Sequence, residues 1–199
     1  MCLSAPFLAW DCWPAAAQRV IPDPAGVAEV RAALQQRGWS SSPVTAIHIS
    51  SRRPSNCWPE QKFIALIRAL WNIHGTPFML FWSPGDASNP QHPGDDAKAD
   101  AIMRALTDVP IMAWPTHELS ELIAGLSVCS ELICSDGGAM HLASGLGKPI
   151  LCFFGDTPAV RWHPWGVPYM LLQPESLNAS DISVDEAVAA FQRLKSLRG

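Results

Sequence analysis

Three things are scarce in this sequence, and each scarcity removes a class of function. Charge is the first: only 16% of the 199 residues are Asp, Glu, Lys or Arg, and 14 basic against 18 acidic residues leave a formal charge of −4. Without a basic excess to neutralise phosphates along a backbone, a nucleic-acid module is disfavoured. Long apolar runs are the second. Nothing approaches the roughly 20 uninterrupted apolar residues of a spanning helix, and Asp11 and Pro14 break the apolar N-terminus. No transmembrane segment is expected, and residues 1–17 lack the positive start and long apolar stretch of a secretory signal, so the cytoplasm is the default compartment. Paired cysteines are the third. Cys2, Cys12, Cys57, Cys129, Cys134 and Cys152 form no Cys-x-x-Cys, and several sit inside apolar runs. Disulfide frameworks and zinc ribbons are disfavoured, and these thiols read as small hydrophobes.

What is present is an ordinary globular composition, 48% hydrophobic, which argues against disorder. The 18 prolines and 13 glycines are spread along the chain and suit many short elements joined by defined turns. Residues 1–42 read as a leader plus one helix over 25–37, closed by Gly38. From Pro43 a strand–loop–helix alternation begins: strands at 44–49, 78–82, 111–114, 132–135, 150–154 and 169–172, and helices opened by Trp58-Pro59-Glu60 and over 95–106, 119–128, 138–145 and 183–197. The last helix carries a capping box, Ser183-Val184-Asp185-Glu186. The strands are unbroken apolar runs, the pattern of strands buried on both faces. The fold expected over 43–199 is therefore a doubly wound α/β domain with a mostly parallel sheet of about six strands. Ligands of such sheets bind beyond the carboxyl ends of the strands, which singles out the loops at 50–57, 83–94, 115–118, 135–141 and 155–166.

The most informative loop is Ser135-Asp136-Gly137-Gly138-Ala139-Met140-His141, a strand end, an acid and two glycines opening a helix. Glycines there let backbone amides approach a ligand, and a helix N-terminus favours an anion, most often phosphate. His141 can donate to a phosphate oxygen. Asp136 repels phosphate and suits a sugar hydroxyl, amide orientation or a hydrated metal. Spacing alone leaves open the plainer alternative, Asp136 capping the helix and His141 packed at the surface. In the first loop, Ser50, Ser51, Arg52 and Arg53 offer hydroxyls and guanidinium groups able to clamp a diphosphate, against the alternative of solvated arginines. Asp95 or Asp96 starts a helix rather than touching a ligand. His117 can flank a nucleobase, or Thr116 can simply cap the following helix. Thr157, Arg161 and Trp162 can form a sugar contact or lid, and a hydrophobic cover over the core competes with that reading. No G-x-S-x-G, Walker or dinucleotide fingerprint occurs.

Taken in order, these loops resemble glycosyltransferase family 9, the heptosyltransferases of lipopolysaccharide core assembly. The resemblance rests on Asp136-Gly137-Gly138-Ala139-Met140-His141, then Leu142-Ala143, Gly147-Lys148-Pro149 and Phe154-Gly155, with Trp58-Pro59 upstream and Thr157, Arg161, Pro164 and Gly166 downstream. It covers about 43–197 and is similar to the C-terminal half of such an enzyme. It implies a GT-B architecture of two Rossmann-like domains, this one holding the donor, typically ADP-heptose. Residues 136–141 would then bind the diphosphate and sugar, with Ser50 and Ser51 on the phosphates. The implied transfer inverts the anomeric centre, with a general base on an N-terminal acceptor domain. No resident cofactor or protein-held metal is implied, and a divalent metal accompanying the diphosphate is left open. A location peripheral to the inner membrane is consistent with such a role.

Three departures qualify the resemblance. The middle position of the Asp-Thr-Gly common in relatives is Gly137, and the basic residue usual two positions before Trp58-Pro59 is Asn56, leaving that charge to Arg52 or Arg53. Residues 1–42 are too short for an acceptor domain, so the chain is expected to need a second half or to self-associate through exposed tryptophans, Trp10, Trp13, Trp162 and Trp165 being the candidates. A non-catalytic nucleotide-sugar binding module is the alternative.

Overall fold

Proline placement explains where most strands begin. Pro77, Pro110, Pro149 and Pro168 directly precede β2 (Phe78–Trp82), β3 (Ile111–Pro115), β5 (Ile150–Phe153) and β6 (Tyr169–Leu172). Proline cannot donate to a ladder but its carbonyl can accept. Each of these carbonyls takes an amide from the first or second residue of the neighbouring strand: Pro77 from Thr45 (3.0 Å), Pro110 from Phe78 (2.9 Å), Pro149 from Leu132 (2.9 Å) and Pro168 from Ile150 (3.0 Å). With β1 (Thr45–His48) and β4 (Glu131–Ser135) they form a six-stranded, wholly parallel sheet in the order β3-β2-β1-β4-β5-β6. The computed structural model describes residues 19–89 and 93–197.

Both faces of the sheet are covered, as the unbroken apolar strands require. On one face α2 (Glu60–His74), α3 (Asp96–Ala105) and α7 (Val184–Ser196) bury Ile47, Leu80, Ile133, Leu151 and Phe153. On the other, α1 (Pro24–Gln36), α4 (Leu119–Val128) and α5 (Gly138–Gly145) bury the alternate residues Ala46, Met79, Phe81, Cys134 and Cys152. Val30 and Leu34 of α1 are buried in this second layer, and the Val20 amide donates to the Gly145 carbonyl at 2.9 Å. The described part of the leader is thus packed into this layer, with α1 against α4. Cys57, Cys129, Cys134 and Cys152 are free thiols, the last three fully buried, with burial pushing Cys129 up to about 12 and Cys134 and Cys152 up as well. These three are packing residues. Cys2, Cys12, Trp10 and Trp13 lie outside the described residues.

The elements read from the sequence all form. A short helix, α6 (Ala159–Trp162), and two 3-10 turns, Pro54–Asn56 and Ala179–Asp181, are additional; each is too short to show periodicity. Among the described residues no helix is long and apolar enough to cross a membrane.

Candidate functional site

The strand order places the topological switch between β1 and β4: the chain winds from β1 outward to β3, then returns to β4 and winds the other way to β6. A crevice opens at such a point beyond the strand ends. The loops that meet there follow β1 (50–57), β4 (136–137) and β5 (154–158). Trp58 seats the first of them. Its side chain is 1% exposed, stacks edge-on to Phe63 and against Phe153, and donates Nε1–H to the Ile182 carbonyl at 3.1 Å.

The turn after β4 is bare. Gly137 is extended, a Cβ built on Gly137 or Gly138 meets nothing within 4 Å, and no side chain caps α5. These glycines are therefore not demanded by backbone strain or internal packing; they leave open space above the free amides of a helix N-terminus, where an anion is favourable. Asp136 does not cap the helix. Its Oδ2 accepts Asn56 Nδ2–H at 3.1 Å, and its Oδ1 has no partner among the described residues. The side chains of Ala139 and Met140 are buried, so these two positions offer a ligand only backbone. His141 is half-buried, its ring 6.1 Å from Trp162 and edge-on to it, and Arg161 lies 5.6 Å over the same indole.

The β1 loop is partly committed to structure. Ser50 Oγ accepts the Ser83 amide at 2.9 Å, whereas Ser51 Oγ is buried without a hydrogen-bond partner, as is Ser135 Oγ at the end of β4. Arg52 is exposed. Arg53 reaches Asp156 at 3.5 Å with both side chains more than half exposed, a contact worth little in water. The Ser55 hydroxyl, donating to Asp156 at 2.6 Å, is foremost in holding that carboxyl below its ordinary range. Thr157 is buried, and its hydroxyl accepts Asn56 Nδ2–H at 3.2 Å, so it faces the loops rather than forming a lid.

One expectation needs correction, and one candidate residue lies apart from the others. The helix after β3 is capped by Glu118 with Glu121 in a capping box, while Thr116 donates its hydroxyl to the Trp82 carbonyl; the hydroxyl is drawn to a strand-end carbonyl within reach. His117 is exposed beyond edge strand β3, its amide bonded to Glu121, and is not brought together with the 136–141 turn. Asp96 does begin α3, and its carboxylate also binds the Trp82 indole and the Gly85 amide, pinning the loop after β2.

The sequence marked Asn56 only as a departure from the family's usual basic residue, and nothing in it marked Gln173 or Lys98, because the partners of all three are distant in the chain. Gln173 donates to the carbonyls of Gly155 (2.6 Å) and Thr157 (2.9 Å). Lys98, on α3, donates to the Ile49 carbonyl (2.9 Å) behind the β1 loop, and burial lowers it. Among the described residues no group of three or more His, Cys, Asp or Glu is placed to hold a metal ion.

Residues 16–185 match the family model for glycosyltransferase family 9 (heptosyltransferase). The chain is 26% identical over 143 residues to lipopolysaccharide heptosyltransferase 3 of Escherichia coli, covering 71% of this chain and 39% of that protein. Among solved structures, a glycosyl transferase family 9 protein from Veillonella parvula superposes with a TM-score of 0.76 at 18% identity, covering 91% of this chain and 54% of that one. E. coli ADP-heptose lps heptosyltransferase II gives 0.72 at 16%, covering 94% and 55%, and E. coli heptosyltransferase WaaC with ADP gives 0.63 at 17%, covering 78% and 44%. These structural likenesses show a shared fold, and the chain spans about half, or less, of the length of the relatives it matches.

Proposed function

The chain belongs to glycosyltransferase family 9, and on that premise we propose that it is the nucleotide-sugar binding half of a heptosyltransferase-like enzyme, taking an ADP-heptose type donor for inverting transfer to a lipopolysaccharide core acceptor. The observation that carries this reading is the bare, uncapped turn at 136–138, set at the sheet's switch point in a crevice with unpartnered buried hydroxyls at Ser51 and Ser135. Free amides of α5 and the exposed Arg52 would take up charge on the departing diphosphate, where fixed donors act most strongly. The unpartnered oxygen of Asp136 would accept from a sugar hydroxyl, with His141 and Trp162 beside it. WaaC, a structural neighbour, was solved with ADP and with ADP-2-deoxy-2-fluoro heptose, which supports the choice of donor. A divalent cation, where one takes part, would arrive with the diphosphate. The base that deprotonates the acceptor is assigned to a second domain, which would cover the exposed Val160, Trp162 and Trp165 or, without it, leave them to self-association. A place at the cytoplasmic face of the inner membrane follows from this role.

One observation favours the alternative of a binding module without transfer: the position expected to carry a basic residue is the neutral Asn56. Calorimetric titration of the chain with ADP and ADP-heptose against UDP and GDP tests the reading. Saturable binding of the ADP compounds, weakened about tenfold or more by Asp136→Ala for ADP-heptose and by His141→Ala, is expected. Absence of binding by a folded chain overturns it, and binding with no transfer in the presence of an acceptor domain selects the alternative.

A further inference from the structure

Asn56 is 1% exposed, and a buried amide must find partners for two donors and an acceptor. It finds them on two loops that are 80 to 101 residues away in the chain. Nδ2 donates to Asp136 Oδ2 (3.1 Å) after β4 and to Thr157 Oγ1 (3.2 Å) after β5, and Oδ1 accepts the Gly155 amide (2.7 Å). Segment 155–157 is then gripped from the other side by Gln173, and a Cβ on Gly155 would lie 2.1 Å from the Ser55 carbonyl, so the loops are in direct backbone contact.

We infer that Asn56 is the positioning residue of this crevice: its buried side-chain amide aims the Asp136 carboxylate and fixes segment 155–157, making recognition of the sugar, more than of the nucleotide, depend on it. The chemistry of the amide is what matters. A cation here would pair with Asp136 and cancel its charge, whereas a neutral amide holds one carboxylate oxygen and adds no charge, leaving the other oxygen as a full acceptor for hydroxyls. A carboxylate kept in that state repels phosphate, so its contribution falls on the hydroxyl-bearing part of a ligand.

The ligand half of this inference rests on the donor reading, and its test separates the two. Asn56→Ser retains a small polar group near Gly155 but cannot reach Asp136; Asn56→Ala removes all three bonds and serves as the more severe variant. The wild-type chain, Asn56→Ser, Asp136→Ala and the double variant are titrated with ADP and with ADP-heptose, and each is unfolded thermally without ligand. The expected result is ADP affinity unchanged within about threefold, ADP-heptose affinity lower by about tenfold or more, and no further loss when Asn56→Ser is added to Asp136→Ala. Equal losses for both probes, or losses that multiply in the double variant, overturn the inference. In the ligand-free arm the two substitutions must lower the unfolding midpoint by less together than the sum of their separate effects; additivity there overturns the positioning role. A wild type that binds neither probe overturns the donor reading and the sugar-selecting half, while a non-additive unfolding cycle still upholds the fixing of the loops by Asn56.

Discussion

Gly155 and the Gly137–Gly138 pair look alike in the sequence but meet different surroundings. At Gly155 an added methyl would press into the Ser55 backbone at 2.1 and 2.4 Å, and backbone cannot swing aside as a flexible side chain can. Gly155→Ala is expected to lose about 2 kcal/mol or more of stability, read as a lower urea midpoint. Gly137→Ala and Gly138→Ala meet open space in ordinary backbone, so stability should hold or rise slightly while ADP binding falls, because the methyl enters the space above the helix amides. A loss of stability without loss of binding at 137 and 138 would contradict the assignment of that space to a ligand.

At the scale of elements, α7 shows how a helix that the sequence delimits well is held by a contact the sequence does not suggest. Its capping box forms as read, Ser183 and Glu186 satisfying each other's amides at 3.2 and 2.9 Å. What ties it to the sheet, besides its apolar face, is Lys195 Nζ at 3.3 Å from Glu131, a 1% exposed carboxylate on β4 that also accepts the Thr45 hydroxyl at 2.7 Å. Removing one partner of a buried pair leaves the other charge less well compensated. Lys195→Met is therefore expected to cost roughly 2 kcal/mol, less than a fully buried pair because the lysine is partly exposed, with Glu131→Gln added to it recovering part of the loss; denaturant midpoints of the two variants check this. An apolar-run reading of β4 starts at Leu132 and passes over Glu131, since a glutamate within a strand carries no sign of its burial.

For the whole molecule, acid stability is set in part where β1 ends. His48, beside Lys98, is lowered from 6.5 to about 4, by burial first and by the lysine's charge second. Above pH 6.5 the group costs nothing; between 6.5 and 4 the unfolded chain takes up a proton that the native one refuses, so stability falls as pH falls. The full linkage is about 3 kcal/mol, and partial solvent access to the residue reduces it to roughly 2. Thermal midpoints of wild type should drop more steeply across that window than those of His48→Gln. Parallel slopes would remove His48 as the cause.

The sequence by itself determined the repeating strand–helix order, the two-sided burial of the sheet and the position of the bare Asp136 turn, because periodicity, proline starts and glycine turns are local properties with local physical causes. Only the tertiary structure decided which loops meet. It set Asn56 against Asp136, Gly155 and Thr157, left His117 at the far edge, turned Ala139 and Met140 inward, and moved the role of Thr157 from lid to buried acceptor. The physical reason is that hydrogen-bond satisfaction of a buried polar group depends on partners brought together by strand order, and strand order is a long-range property that no window of sequence contains.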